Sequence, residues 1–161
     1  MVALAWILGI GLLWLLFDGY LDRLNNPNRH LEVSAGAERA ELVLRSNPGG
    51  HYVAPGIVNG RPVTFMLDTG ATLVSVPQHL GAALGLEPGA RHQVRTANGT
   101  VTARATRIEE LGLGPFHLRN VSAHLNPGMK DDQILLGMSA LRHFEFHQRN
   151  GTLILRPPVA D

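Results

Sequence analysis

Three Asn-Gly dipeptides, Asn59-Gly60, Asn98-Gly99 and Asn150-Gly151, each stand beside short apolar runs. Asn-Gly readily supplies the two successive left-handed residues of a type I′ turn, so between alternating apolar runs it predicts a tight hairpin. The flanks fit this reading. Residues 52–58 and 63–67 surround the first dipeptide, and runs at 101–108 and 153–156 follow the other two. Residues 116–124 read as another strand, and Leu42-Val43-Leu44 as one more before the Asn47-Pro48-Gly49-Gly50 turn. Residues 78–86, opened by Pro77, predict a short helix, and 139–144 a second. The expected domain is all-β: a mainly antiparallel fold over 41–157 with one or two short helices, no internal repeat, and a tail over 158–161. At 45% apolar and 17% charged residues, the chain has the material to fill such a core.

Ahead of this domain the pattern is different. Residues 2–17 contain no charged or polar side chain. As a helix they would cover ~24 Å, short of the ~30 Å hydrocarbon layer, and extending the count over 1–21 brings the length close to a span. Trp6, Trp14 and Tyr20 are placed as interfacial anchors. No Lys or Arg precedes the run and no small-residue cleavage site follows it, which disfavours a cleaved signal peptide. The expectation is therefore a single-pass transmembrane helix over 1–21 and a polar tether over 22–40, with a helical turn near Ala35 to Arg39. Arg23 and Arg29 after the span lean weakly toward a cytoplasmic domain.

Other function classes lose ground on composition. The formal net charge is +1 with no basic run, so nothing points to nucleic acid. With no cysteine, disulfides and thiol nucleophiles are absent. His143 and His147 have a helical metal-ligand spacing, but Phe alternates with polar residues between them. They read as one face of a solvated strand, and no metal or other cofactor is expected. The other six histidines, at 30, 51, 79, 92, 117 and 124, are scattered without metal spacing. Glu109-Glu110 reads as a strand end, and Ser75 and Ser139 lack a nucleophile-elbow context.

The residues that carry chemistry lie at 63–72. An apolar strand delivers one carboxylate, Asp68, followed at once by Thr69 and Gly70. A carboxylate at the end of such a strand is costly unless it is hydrogen-bonded or functional. A small hydroxyl beside it can bond across a narrow gap, and glycine admits close backbone approach. Much later the chain returns with Gln133-Ile134-Leu135-Leu136-Gly137-Met138, a second apolar strand ending in glycine. Between the two lies a polar hairpin tip, Arg95-Thr96-Ala97-Asn98-Gly99-Thr100-Val101, able to fold over a cleft.

In that order and at those separations, these segments resemble the retropepsin-like aspartic peptidases, and most of all a bacterial branch with an N-terminal membrane anchor. Gly50-His51-Tyr52, Val58-Asn59-Gly60, Phe65 to Thr72, Thr96-Ala97-Asn98-Gly99 and Leu135-Leu136-Gly137-Met138-Ser139 carry the resemblance over about 41–157. It implies a closed β fold with the Asp68 loop at the floor of a groove. Asp68 would be the catalytic acid/base, Thr69 would brace the loop and Gly70 would allow close approach. Ala71 and Thr72 would border the substrate, and Ala97, Asn98 and Gly99 would form the flap tip. Leu136 and Gly137 would support the catalytic loop where the chain crosses behind it. The anchored branch also implies an inner-membrane protein with its peptidase domain in the periplasm. Two departures stand out: Thr72 and Leu73 replace acidic residues of the viral enzymes, and Met138 replaces an arginine.

The chemistry so implied needs two close carboxylates. The chain has six aspartates, and Asp18, Asp22, Asp131, Asp132 and Asp161 do not repeat the Asp-Thr-Gly context. A homodimer would supply the second Asp68, acting on a protein or peptide substrate, and a shared membrane anchor would favour the pairing. The alternative expectation is a non-proteolytic binding or assembly module of the same fold at the membrane.

Overall fold

The computed structural model describes residues 2–35, 40–96 and 99–158. Helix α1 (Val2–Asn25) leads into two sheets. A four-stranded sheet has the order β1 (Glu32–Ala35), β2 (Ala40–Arg45), β11 (Thr152–Arg156) and β10 (Glu145–Arg149). The larger sheet runs β3 (Tyr52–Val58), β4 (Arg61–Leu67), β9 (Gln133–Leu136), β5 (Val74–Pro77), β8 (Phe116–Asn126), β7 (Gly99–Leu113) and β6 (Arg91–Thr96). Because β3 also pairs with β7, through Ile57↔Gly112 and Val58↔Leu111, strands β3 to β9 with β6 left out form a closed ring. The expected closed β fold is present. Most pairings are antiparallel, but β4 with β9 and β5 with β8 run parallel.

Period-two burial explains the layering. In β2 and β11, Leu42, Leu44, Leu153 and Leu155 are buried while their strand neighbours are not, so the small sheet turns a leucine face inward. That face joins Phe65, Val74, Val76, Ile108, Ile134, Leu136 and Leu141 in one core. Two Asn-Gly turns form as expected. Asn59-Gly60 and Asn150-Gly151 have positive φ at both residues and are closed by the pairs Val58↔Arg61 and Arg149↔Thr152. At the third, Thr96 pairs directly with Gly99. The loop there is 97–98, outside the described residues, and Gly99 is the first residue of β7.

Several expectations need correction. The 78–86 segment is a 3₁₀ turn over Gln78–Leu80, not an α-helix. Gly85 lies at φ +66°, outside the helical region, so the segment cannot run on as a helix to Leu86. The later helix, α2, is one turn over Met138–Leu141. Glu109-Glu110 lies inside β7, which runs on to Leu113 before turning at Gly114-Pro115. The segment expected as a tether contains the end of α1 and all of β1; the turn expected near Ala35 to Arg39 falls on 36–39, outside the described residues.

Asn28, buried at 4% exposure, is pinned to the domain by three hydrogen bonds. Its Nδ2 donates to the Arg45 and Val53 carbonyls at 2.9 and 2.7 Å, and its Oδ1 accepts from Arg45 N at 2.7 Å. The membrane-spanning anchor over 1–21 is not supported. Among the described residues no helix is long and apolar enough to cross a membrane. The uncharged run ends at Phe17, and the same helix continues through Asp18, Asp22 and Arg23.

Candidate active site

Asp68 follows the last residue of β4, and β9 is the element that places it. Strand β9 inserts between β4 and β5, pairing in parallel with β4 so that Leu67 lies opposite Leu136. The 68–73 loop then crosses the segment after β9 and is tied to it in four places. Asp68 N donates to the Leu136 carbonyl at 3.1 Å, Met138 N to Ala71 O at 2.8 Å, and Ser139 N to Thr72 O at 2.9 Å. Val74 N donates to Ser139 Oγ at 2.9 Å, and that hydroxyl donates onward to Ser122 O at 2.7 Å.

Gly137 sits at the centre of the crossing. A Cβ there would fall on the Leu73 carbonyl oxygen and 2.7 Å from that of Ala71. Its φ of −86° suits any residue, so the demand for glycine is one of space.

Within the loop, Asp68 Oδ1 accepts from Gly70 N at 2.9 Å, and Ala71 N closes a turn onto Asp68 O at 3.2 Å. The half-buried Asp68 opens onto a groove of about 760 Å³. Gly70, Ala71, Thr72 and Leu73 form one wall, and Val94, Arg95 and Thr96 of β6 with Val101 of β7 form another. The expected flap hairpin therefore borders the same groove as Asp68. Its tip residues Ala97 and Asn98 lie outside the described residues, and Gly99 is exposed without lining the groove. Leu136 and Gly137 are buried behind the loop and do not line the groove. Thr69 is exposed, and no hydrogen bond of its hydroxyl occurs among the described residues.

The other carboxylates do not complete the site. Among the described residues, Asp68 is the sole aspartate or glutamate lining the groove. Asp132 is exposed and bonds His79 Nε2 at 2.8 Å. Asp131 is exposed, Asp18 and Asp22 belong to α1, and Asp161 lies outside the described residues. No cluster able to hold a metal ion occurs among the described residues. His147 lies in β10, every residue of which is exposed.

Sequence reasoning missed the far end of the groove. Ser75, His92, His124, Asn126 and Met129 line it with Asp68, although the histidines had looked scattered. His124 Nε2 is 2.8 Å from Ser75 Oγ, and burial, followed by the charge of neighbouring His92, lowers its pKa to about 4. A usable signal existed: Ser75 interrupts Val74-Ser75-Val76, and His124 and Asn126 interrupt the buried end of β8. Polar residues inside buried strands call for partners or a function.

Comparisons with known proteins agree with this geometry. A solved structure, a retropepsin-like aspartic protease from Rickettsia conorii, superposes with a TM-score of 0.62 at 27% identity, covering 79% of this chain and 94% of that one. An uncharacterized protein from the cobV 5′ region of a Sinorhizobium species is 32% identical over 134 residues, 81% of this chain and 58% of the relative. The uncharacterized protein RP867 of Rickettsia prowazekii (strain Madrid E) is 29% identical over 111 residues, 67% of this chain and 47% of the relative. The chain thus spans about half the length of the curated relatives it matches. The family described as "gag-polyprotein putative aspartyl protease" matches residues 54–143, which include the Asp68 loop, the β6–β7 hairpin and the Gly137 crossing. With more than half of its length matched, this chain belongs to the retropepsin-like aspartic proteases.

Proposed function

We propose that this protein is an aspartic endopeptidase whose active site is completed by a second copy of the chain. One observation carries the reading: a single carboxylate, Asp68, opens onto a large groove from a loop cross-tied at Gly137, and no second acidic residue among the described ones lines that groove. Peptide hydrolysis needs one ionised carboxylate to take a proton from water and one protonated carboxylic acid to polarise the scissile carbonyl. Two Asp68 side chains facing each other across a two-fold axis supply both states, because like charges so close do not ionise together. Water then adds to the carbonyl carbon, and the proton it releases reaches the leaving amine through the same pair. The exposed Thr69 stands beside Asp68 with its hydroxyl free to bond across that axis.

The flap hairpin forms the outer wall of the groove, with Ala71 and Thr72 bordering the substrate backbone opposite it. Thr72 and Leu73 carry no charge, so this loop offers the substrate backbone no carboxylate beyond Asp68.

The test is cleavage of a peptide library from acidic to neutral pH by the full-length protein and by Asp68→Asn. The expected result is cleavage by the former and none by the latter, with unchanged thermal unfolding. Cleavage by Asp68→Asn would overturn the assignment.

A further inference from the structure

Side-chain pockets between strands are mostly apolar, yet the groove floor beyond Asp68 is polar. Ser75 of β5 and His124 and Asn126 of β8 line it at 3%, 5% and 5% exposure. Their hydrogen bonds interlock at one oxygen. Asn126 Nδ2 donates to Ser75 Oγ at 3.3 Å, Ser75 Oγ donates to Met129 Sδ at 3.2 Å, and His124 Nε2 lies 2.8 Å from the same Oγ. A serine hydroxyl has one proton and two lone pairs. With its proton on the Met129 sulfur the hydroxyl accepts from Nε2–H and Nδ1 carries a bare lone pair; with its proton on Nε2, Nδ1 carries the ring N–H instead. In either tautomer Nδ1 is the atom left over. That Nδ1 is buried and has no hydrogen-bond partner among the described residues.

A buried polar atom without a partner is costly, and a ligand that brings the partner removes the cost. The other groups at the groove narrow the choice. Arg95 and His92 stand on the β6 wall, and Asp68 is the one acidic lining residue among those described. A substrate lysine or arginine would meet Arg95 with no acid to spare beyond the catalytic one. A carboxylate can serve Nδ1 only when Nδ1 bears the proton, and an aliphatic side chain leaves Nδ1 unpaired in both tautomers. A carboxamide suits either one, with an N–H for a bare Nδ1 or an oxygen for an Nδ1–H, and its other group faces the amide of Asn126.

We propose that Ser75, His124 and Asn126 form a side-chain subsite that selects glutamine or asparagine near the scissile bond of a peptide substrate. The half-buried His92, whose ring centroid is 5.5 Å from that of His124, borders the subsite from β6 and has to turn aside for an amide to reach Nδ1. This rests on the peptidase reading and names the substrate class it serves.

The experiment has two arms. Full-length protein is given a randomised peptide library and the residues flanking each cut are counted. In parallel, calorimetry measures binding of non-cleavable reduced-bond peptides that carry Gln or Leu at each flanking position in turn. The expected result is a preference for Gln or Asn over Leu of about tenfold at one position in both arms. His124→Leu and Ser75→Val should each shift the ratio toward Leu at that position alone. A wild-type preference for Leu at every position, or an amide preference that survives both substitutions, would overturn the subsite. Amide-selective binding without any cleavage supports the subsite and overturns the peptidase reading; cleavage indifferent to amides does the reverse.

Discussion

Replacing Gly137 with alanine puts one methyl group where two carbonyl oxygens already stand. Moving from 2.7 Å to an ordinary 3.4 Å contact with Ala71 O alone asks for a shift of about 0.7 Å, and the closer Leu73 oxygen asks for more. Neither obstacle is a side chain that can swing away; both are backbone of the loop carrying Asp68. The bonds from Met138 N to Ala71 O and from Ser139 N to Thr72 O must stretch together. Overpacking of this kind costs about 3 kcal/mol. A domain with roughly 5–15 kcal/mol of stability remains folded after such a loss. Displacement of the carboxylate by about 1 Å lowers kcat/KM by up to about 100-fold. Urea unfolding and peptide cleavage read the two effects separately. A destabilisation below about 0.5 kcal/mol with unchanged kcat/KM would refute the reasoning, because the crossing would then be soft.

Two further outcomes follow from buried polar groups. Asn28→Ala strips partners from the Arg45 N–H and from the Arg45 and Val53 carbonyls, so chemical unfolding should show a loss of about 2–4 kcal/mol; a loss under about 0.5 kcal/mol would mean that this contact is not formed in solution. His124 has a folded pKa of about 4, below its ordinary 6.5, so the unfolded chain binds the extra proton first. Its contribution is fully present above pH 6.5 and is lost as pH falls toward 4. Stability measured across that window should fall more steeply for the natural protein than for His124→Gln, and parallel curves would contradict the assignment.

Much of this fold was legible because local rules and the tertiary structure agree. Asn59-Gly60 and Asn150-Gly151 form the tight turns that their chemistry demands, and the leucines of β2 and β11 alternate as a half-buried sheet requires. The Asp68 loop and the Gly137 segment were readable as a pair through their resemblance, in order and spacing, to the retropepsin-like peptidases; the lack of room for a Cβ at Gly137 is visible only in the structure. What was hidden depends on partners distant in sequence. Residues 78–86 have helical composition, yet Gly85 takes a left-handed φ and only a 3₁₀ turn over Gln78–Leu80 forms. Strand β1 and the anchoring of Asn28 sit in a polar stretch whose pairing is decided by β2 and β3. The parallel pairing of β5 with β8 brings Ser75 opposite His124 across 49 residues, which no local pattern announces. The apolar N-terminal run is helical as its composition suggests, but a helix is not a span, and none among the described residues meets that measure.

The central claim is that each active site takes one Asp68 from each of two chains, and subunit mixing tests it most directly. Wild-type and Asp68→Asn chains are unfolded together in equal amounts, refolded, and assayed at the same total concentration. If every site needs both carboxylates, only wild-type pairs cut, and activity falls to about a quarter of that of the all-wild-type sample. Retention of about half, in proportion to the wild-type chains present, would contradict the shared site.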